Sequence, residues 1–172
     1  MEKIEAVLIG NTATSNNQEA HALFNKSSFG EPSGEKIQYT LSEVLFLVEE
    51  KKMDVILKDK KLTKGELLKK FHSIDKKISV KYPVYKDLRK KGYVVKTALK
   101  FGAEFRVYEK GSRPGQRHAK WIVYTDHESN KLTWHDFSAK NRIAHSTKKK
   151  LLLAIVDEEG DVSYYEVSWM KV

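Results

Sequence analysis

Two small α+β domains, the second a mixed sheet flanked by helices, are what this sequence predicts. Three observations carry that prediction. Thr40 with Glu43 and Thr63 with Glu66 form T-x-x-E capping boxes, each followed by apolar residues at helical spacing. Several segments of the second half alternate apolar and polar residues, the period of a half-buried strand. There, one helix precedes a run of strands and another interrupts it, which requires a mixed sheet with helices packed on it. The predicted division falls near residue 81, giving an N-terminal mixed α/β domain over residues 1–80 and a C-terminal mixed-sheet domain over 81–172.

The elements follow in order. Residues 4–9, "IEAVLI", read as a first strand and "GNTATSNNQ" as a polar turn. "EAHALF" reads as a short helix closed by a flexible "NKSSFGEPSGE". Thr40 opens a helix with Leu41, Val44, Leu45 and Val48 on one face, and "MDVILK" is a strand. Thr63 opens a second helix whose Leu67, Leu68, Phe71, Ile74 and Ile78 form one apolar stripe, which is core. Pro83 suits the first turn of a helix "PVYKDLRKK" that Gly92 stops. Strands are then expected at 93–99, 103–109 and 118–125, followed by the turn "DHESN". A helix capped by Thr133 and Asp136 comes next, then strands at 150–157 and 162–170 around the turn "DEEGD".

Lys and Arg exceed Asp and Glu to give a formal net charge of +9, which favours a polyanionic partner such as nucleic acid. A lysine-rich surface tuned only for solubility is the plainer account of the same excess. The chain has no cysteine, so disulfides and thiolate metal sites are excluded. No apolar run approaches the ~20 residues of a membrane span, and "MEKIEAVLIG" lacks the order of a signal peptide. A cytoplasmic protein is expected.

In "AEFRVYEK", Ala103, Phe105 and Val107 share one face, and Glu104, Arg106 and Tyr108 the other. Tyr108 is thus expected on the polar face at a strand end, with His118 opening the next strand. An antiparallel hairpin would bring both to one end of the sheet. "RIAHSTKKKLLLAIVD" then runs Arg142, His145 and three lysines directly into an apolar strand. A lysine run is ordinarily a solvated face, but this one abuts a core strand, so one ammonium sits at the sheet edge. If that strand pairs beside the hairpin, a cation joins a phenol and an imidazole, a set that suits phosphodiester chemistry. There is no P-loop, no H-E-x-x-H and no carboxylate pair placed for two metals, so a metal-free centre is expected, without cofactor.

At these residues the sequence resembles the archaeal tRNA-splicing endonucleases. "KYPVYKDLRKKGYVVKTALKFGAEFRVYEKG" follows the opening of that family's catalytic domain. The histidine ten residues after Tyr108 and "RIAHSTKKKLLLAIVDEEGDVSYYEVSW" follow in order. The resemblance covers residues 80–172 closely and the N-terminal part through "YTLSEVLFLVEEKK". It implies a catalytic set of Tyr108, His118 and Lys149, and an RNA clamp of Arg142 with Tyr164, a position that is arginine in some members. It further implies cleavage of bulge-helix-bulge RNA in precursor tRNA, leaving a 2′,3′-cyclic phosphate and a 5′-hydroxyl. Tyr108 would take the 2′-hydroxyl proton or merely orient that hydroxyl. His118 would protonate the leaving oxygen, and Lys149 would stabilise the phosphorane charge.

Two rivals are a non-catalytic subunit of the same enzyme and a general binder of double-stranded RNA. The complete set Tyr108, His118 and Lys149 speaks against the first. Because the substrate has two cut sites and the chain one catalytic domain, a homotetramer is expected over a heterotetramer with a structural subunit. Docking is expected through the face of Tyr165, Val167 and Trp169 and through an acidic turn at Asp126 and Glu128.

Overall fold

The structure, a computed structural model, describes residues 2–172. The chain divides into two compact units, Met1–Tyr82 and Pro83–Val172, with the division falling inside one helix.

The first unit builds a six-stranded sheet in the order β3-β4-β2-β1-β5-β6. Its strands are β1 (Ile4–Ile9), β2 (Thr12–Ser15), β3 (Glu31–Ser33), β4 (Lys36–Tyr39), β5 (Met53–Leu57) and β6 (Lys60–Lys61). Only β1 and β5 pair in parallel, Ile4 opposite Met53, and helix α2 (Leu41–Glu49) lies between them in sequence. The polar stretch expected as a turn holds β2. Gly10 at φ 60 begins a tight reversal that sets Ile9 opposite Thr12, and alternation then buries Ala13 and Ser15. The segment expected to be flexible after α1 (Gln18–Ser27) holds the β3–β4 hairpin, turned at Gly34. Both misreadings have one cause: short strands made of Thr, Ser, Glu and Pro carry little apolar signal.

Both expected capping boxes form. Thr40 and Thr63 accept from the backbone of Glu43 and Glu66, whose carboxylates reach back to the cap nitrogens at 2.9 and 2.8 Å. Glu43 is itself buried and also accepts from the Gly30 amide at 2.8 Å, fastening the loop before β3 to the start of α2. Helix α3 (Lys64–Ile74) is shorter than its apolar stripe suggests. It ends at Asp75, so Ile78 opens the next helix, while Leu68 and Ile74 remain exposed and Leu67 and Phe71 supply the core. Helix α4 (Ile78–Lys90) then contains Pro83 in its interior instead of starting there. Asp75 accounts for the earlier start, because its side chain accepts from the Lys77 amide at 2.9 Å and its carbonyl from Ile78 at 3.0 Å.

The second unit is a five-stranded sheet in the order β11-β10-β9-β8-β7. Strands β7 (Val94–Ala98), β8 (Ala103–Tyr108) and β9 (Trp121–His127) form an antiparallel meander. A 3₁₀ turn at Leu99–Phe101 separates the first two, where the sequence reading had continuous strand and loop. Helix α5 (Trp134–Ser146) crosses from β9 to β10 (Lys150–Val156), which pairs parallel to β9 and antiparallel to β11 (Val162–Val167). Ile122, Tyr124 and Leu151 pack under α5 with Ala144, Ile143 and Phe137. On the opposite face Phe105 meets Tyr85 of α4, ring centroids 5.9 Å apart. Strand β9 begins at Trp121 and not at His118, and β11 stops at Val167, leaving Trp169 beyond the sheet.

Gly30 tests the first unit. It adopts φ +73, and a Cβ there would stand 2.3 Å from Ile37 Cγ2 and 2.9 Å from the Gln38 carbonyl. Gly30→Ala should destabilise by about 3 kcal/mol, adding left-handed strain to overpacking. Gly34→Ala, at φ +59 with open space around it, should cost only about 1 kcal/mol. Denaturant midpoints of the two variants check the difference.

Candidate active site

Sheet register assembles the site. Val107 pairs with Trp121, and Trp121 pairs with Lys150. The Lys120 amide donates to the Val107 carbonyl at 2.9 Å and the Lys150 amide to the Lys120 carbonyl at 2.9 Å. Tyr108, Lys120 and Lys149 therefore stand side by side at one end of three adjacent strands. His118 lies two residues before Lys120, exposed, on the segment that joins β8 to β9. Tyr108 keeps the Arg106 face of β8 that alternation gives it, but is buried there at 4% exposure, because burial no longer alternates over the last two residues of the strand. No hydrogen bond among the described residues joins Tyr108, His118 and Lys149; the strand register sets Tyr108 beside Lys149, and His118 lies on the connecting segment.

The three consecutive lysines have three different situations. Lys148 adopts φ 55 and forms the left-handed end of α5. Its amide donates to His145 at 3.0 Å and that of Lys149 to Ala144 at 2.8 Å, the paired bonds of a Schellman termination. That turn carries the chain straight from helix to strand. Lys150 at the strand start pairs with Glu166 at 2.9 Å, and Trp121 Nε1 donates to the same carboxylate at 2.7 Å. Lys149, half-buried between them, donates from Nζ only to the Thr147 carbonyl, at 3.0 Å. Burial chiefly, then the charges of Arg106 and Lys100, holds its pKa below the ordinary lysine value. Lys120 is the opposite case: a hydrogen bond to Glu109 first of all raises its pKa and lowers that of the glutamate.

A cavity of about 420 Å³ opens here, lined by Lys120, Lys148, Lys149 and Lys150 with His145 and Trp169. The His145 and Trp169 rings lie 4.9 Å apart. Sequence reasoning missed Lys120 and Trp169 as site residues. The strand register exposes the first, but only the folded tail brings in the second.

Arg142 is exposed on α5. Tyr164 on β11 pairs with Ala154, and its hydroxyl donates to Asp87 of α4 at 2.6 Å with Lys91 5.1 Å from its ring centroid. Burial first, then Asp87, raises the Tyr164 pKa. Helix α5 packs on the face that holds Ile122 and Leu151, whereas α4 packs on that of Phe105, which pairs with Val123. Arg142 and Tyr164 are thus on opposite faces, and one chain does not bring them together. The expected docking turn is also committed locally. Asp126 accepts from His127 N at 2.8 Å and Asn130 Nδ2 at 2.5 Å, and Glu128 from Glu158 N at 3.2 Å. Val167 packs partly into the core, leaving Tyr165 at 58% and Trp169 at 65% exposure as the open residues of the expected face.

A cationic cavity at the end of a mixed sheet, with a phenol and an imidazole close by and helices on both faces, has the build of a nuclease domain. Residues 78–164 match the model of the tRNA intron endonuclease catalytic C-terminal domain, and residues 4–68 that of the N-terminal domain of the same enzymes. The chain belongs to the tRNA intron endonuclease family. It is 41% identical over 169 residues to a tRNA-splicing endonuclease of Pyrococcus horikoshii, covering 98% of this chain and 97% of that one. Similar proteins named tRNA-splicing endonuclease occur in Nanoarchaeum equitans, 44% identical over 137 residues (76% of this chain, 88% of that one), and in Methanothermobacter thermautotrophicus, 38% over 152 residues (88% of each).

Lys149 should weaken the fold that holds it. Its proton is bound less tightly in the folded chain than in the unfolded one, so its charged form opposes folding. That penalty is full below the lowered pKa and fades as pH rises through the ordinary 10.5. Lys149→Met, which keeps the stem and removes the charge, should therefore raise the thermal midpoint at neutral pH, with the gain shrinking as pH rises from the lowered pKa and gone above 10.5. A lower midpoint would mean that the ammonium's bond to Thr147 outweighs burial and repulsion.

Proposed function

We propose that the chain is the catalytic subunit of a metal-independent RNA endonuclease that cuts precursor tRNA at both intron boundaries. Its substrate is a bulge-helix-bulge recognised by shape and by splayed bases. The reaction leaves a 2′,3′-cyclic phosphate and a 5′-hydroxyl, so the enzyme acts as an RNA-cleaving lyase. The supporting observation is Lys149: a half-buried ammonium with no carboxylate bonded to it, at the sheet end shared with Tyr108, which His118 follows ten residues on.

RNA supplies its own nucleophile in the 2′-hydroxyl. The protein then needs to remove or orient that proton, to protonate the departing 5′-oxygen and to stabilise the pentacoordinate phosphate. Tyr108, His118 and Lys149 suit these three tasks in that order. Tyr108 takes the 2′-hydroxyl proton or orients that hydroxyl. Arg142 and Tyr164 serve bulged bases by stacking, with Tyr164 held by Asp87. Among the described residues no helix is long and apolar enough to cross a membrane. A cytoplasmic enzyme is in keeping with its tRNA substrate.

A single deoxynucleotide 5′ of the cut should abolish cleavage while binding stays within about twofold, because the nucleophile is gone but the phosphate contacts persist. His118→Ala and Lys149→Ala should each slow single-turnover cleavage by roughly 10²-fold or more. Cleavage of the deoxy-substituted RNA at the native rate, or a need for Mg²⁺, would overturn the mechanism.

The assembly we propose is a homotetramer, in preference to a heterotetramer with a structural subunit. Two cut sites require two active sites, and a clamp of Arg142 with Tyr164 takes its halves from two chains, since each chain holds them on opposite faces. Light scattering of the purified chain should give four chains, with activity and no added partner. A mass of one or two chains, active only with a second subunit, would reverse the choice.

A further inference from the structure

Cations gather around the ring of Phe101. Lys100 Nζ lies 5.2 Å from its centroid and Lys149 Nζ 6.0 Å from the same centroid. Arg106, two residues before Tyr108 on the same face of β8, adds its charge to Lys149. Three lysines near the Tyr108 end of the sheet have carboxylates instead: Lys120 with Glu109 at 2.5 Å, Lys150 with Glu166 at 2.9 Å and Lys91 with Asp87 at 2.7 Å. Neither Lys100 nor Lys149 makes an ion pair among the described residues. Like charges held together without an acid repel, so their arrangement gains only when an anion enters.

The arrangement is built into the fold. Lys100 sits on the 3₁₀ turn, which closes through the Gly102 amide on the Leu99 carbonyl at 2.9 Å with Gly102 at φ 72. The Phe101 ring is partly buried against the core of Ile122 and Leu151 under α5. The ring gives both ammonium groups a common cation–π partner, which draws an exposed lysine and a half-buried one towards the same place. Two separate ammonium positions suit successive phosphates of one strand.

We propose that Lys100 is a second phosphate-binding residue of this site, holding the phosphodiester next to the one that Lys149 contacts in a bound RNA strand. This rests on the reading above that the site cuts RNA. Lys100 makes no contact with the reacting bond, so its loss acts on binding and leaves chemistry to Lys149.

The test measures binding of a bulged RNA made uncleavable by a deoxynucleotide at the cut, and single-turnover cleavage of its ribose counterpart. Lys100→Ala should weaken binding about tenfold and reduce the slope of log affinity against log salt by ~0.7–0.9. Cleavage at saturating enzyme should stay within about threefold of native, and Lys100→Arg should recover the binding. A methylphosphonate at the phosphate beside the cut should weaken binding to the native chain but not further weaken Lys100→Ala. Lys69→Ala, which removes an exposed charge from α3, should bind as the native chain does. The proposal is overturned if Lys100→Ala binds normally, if Lys69→Ala loses as much, or if the methylphosphonate weakens native and Lys100→Ala equally. A native chain that binds the RNA but never cleaves it counts against the endonuclease reading, while the binding comparison still decides the role of Lys100.

Discussion

The parallel pairing of β9 with β10 is the constraint on which the site depends. It sets Lys150 opposite Trp121, and the antiparallel pairing of β9 with β8 then sets Trp121 opposite Val107. A slip of one residue would turn every side chain of β10 to the other face and present a different lysine at the strand end. Two features prevent that slip. Leu151 and Ile122 are buried under α5, so an alternative register would expose them. The Schellman termination at Lys148 also fixes how many residues separate helix from strand. The left-handed conformation of a non-glycine there costs roughly 1 kcal/mol, and the core packing of the crossover offsets it.

The same geometry distributes charge unevenly. Lys120 and Lys150 flank Lys149 and hand their charge to Glu109 and Glu166, which the hydrogen bonds draw below their ordinary pKa values. Lys149 turns instead towards Phe101, Lys100 and Arg106, where burial and repulsion act together. A surface tuned only for solubility would spread its lysines into water or pair them with acids. Like charge drawn together at a cavity points to an anionic ligand, and a chain of net charge +9 adds a longer-range pull on the same ligand.

Much of this was legible in the sequence where local chemistry speaks directly. The boxes at Thr40 and Thr63 announced their helices, and period-two alternation announced the meander. Lys149 was singled out from its neighbours by resemblance; the structure supplies a physical difference, since Lys148 makes a helix end and Lys150 an ion pair. What was hidden depends on contacts distant in sequence. Strands β2 and β3 are too short and polar to declare themselves before β4 pairs with both. Pro83 reads as a helix start because nothing local reveals that Asp75 caps the chain earlier. The 3₁₀ turn bearing Lys100 and Phe101 follows a strand-like run, and only packing under α5 gives it a place at the site. Trp169 reaches the cavity through the tail beyond β11, a position that strand periodicity cannot supply.

One sheet with a helix on each face also limits what one chain can present. The cavity opens at the end where α5 stops, and Arg142 rides on that helix. Tyr164 faces the other way, its hydroxyl held by Asp87 and its ring beneath Lys91. A base stacked between the two side chains would have to reach round the β11 edge of a single chain's sheet. On the proposed reading the missing half comes from a neighbour, and recognition is then tied to assembly. Bulged RNA would find both walls of its clamp only where two chains meet, so an isolated chain could carry the catalytic residues and still bind its substrate poorly. On that reading the two roles would separate physically, chemistry resting on register within one sheet and recognition on the contact between copies.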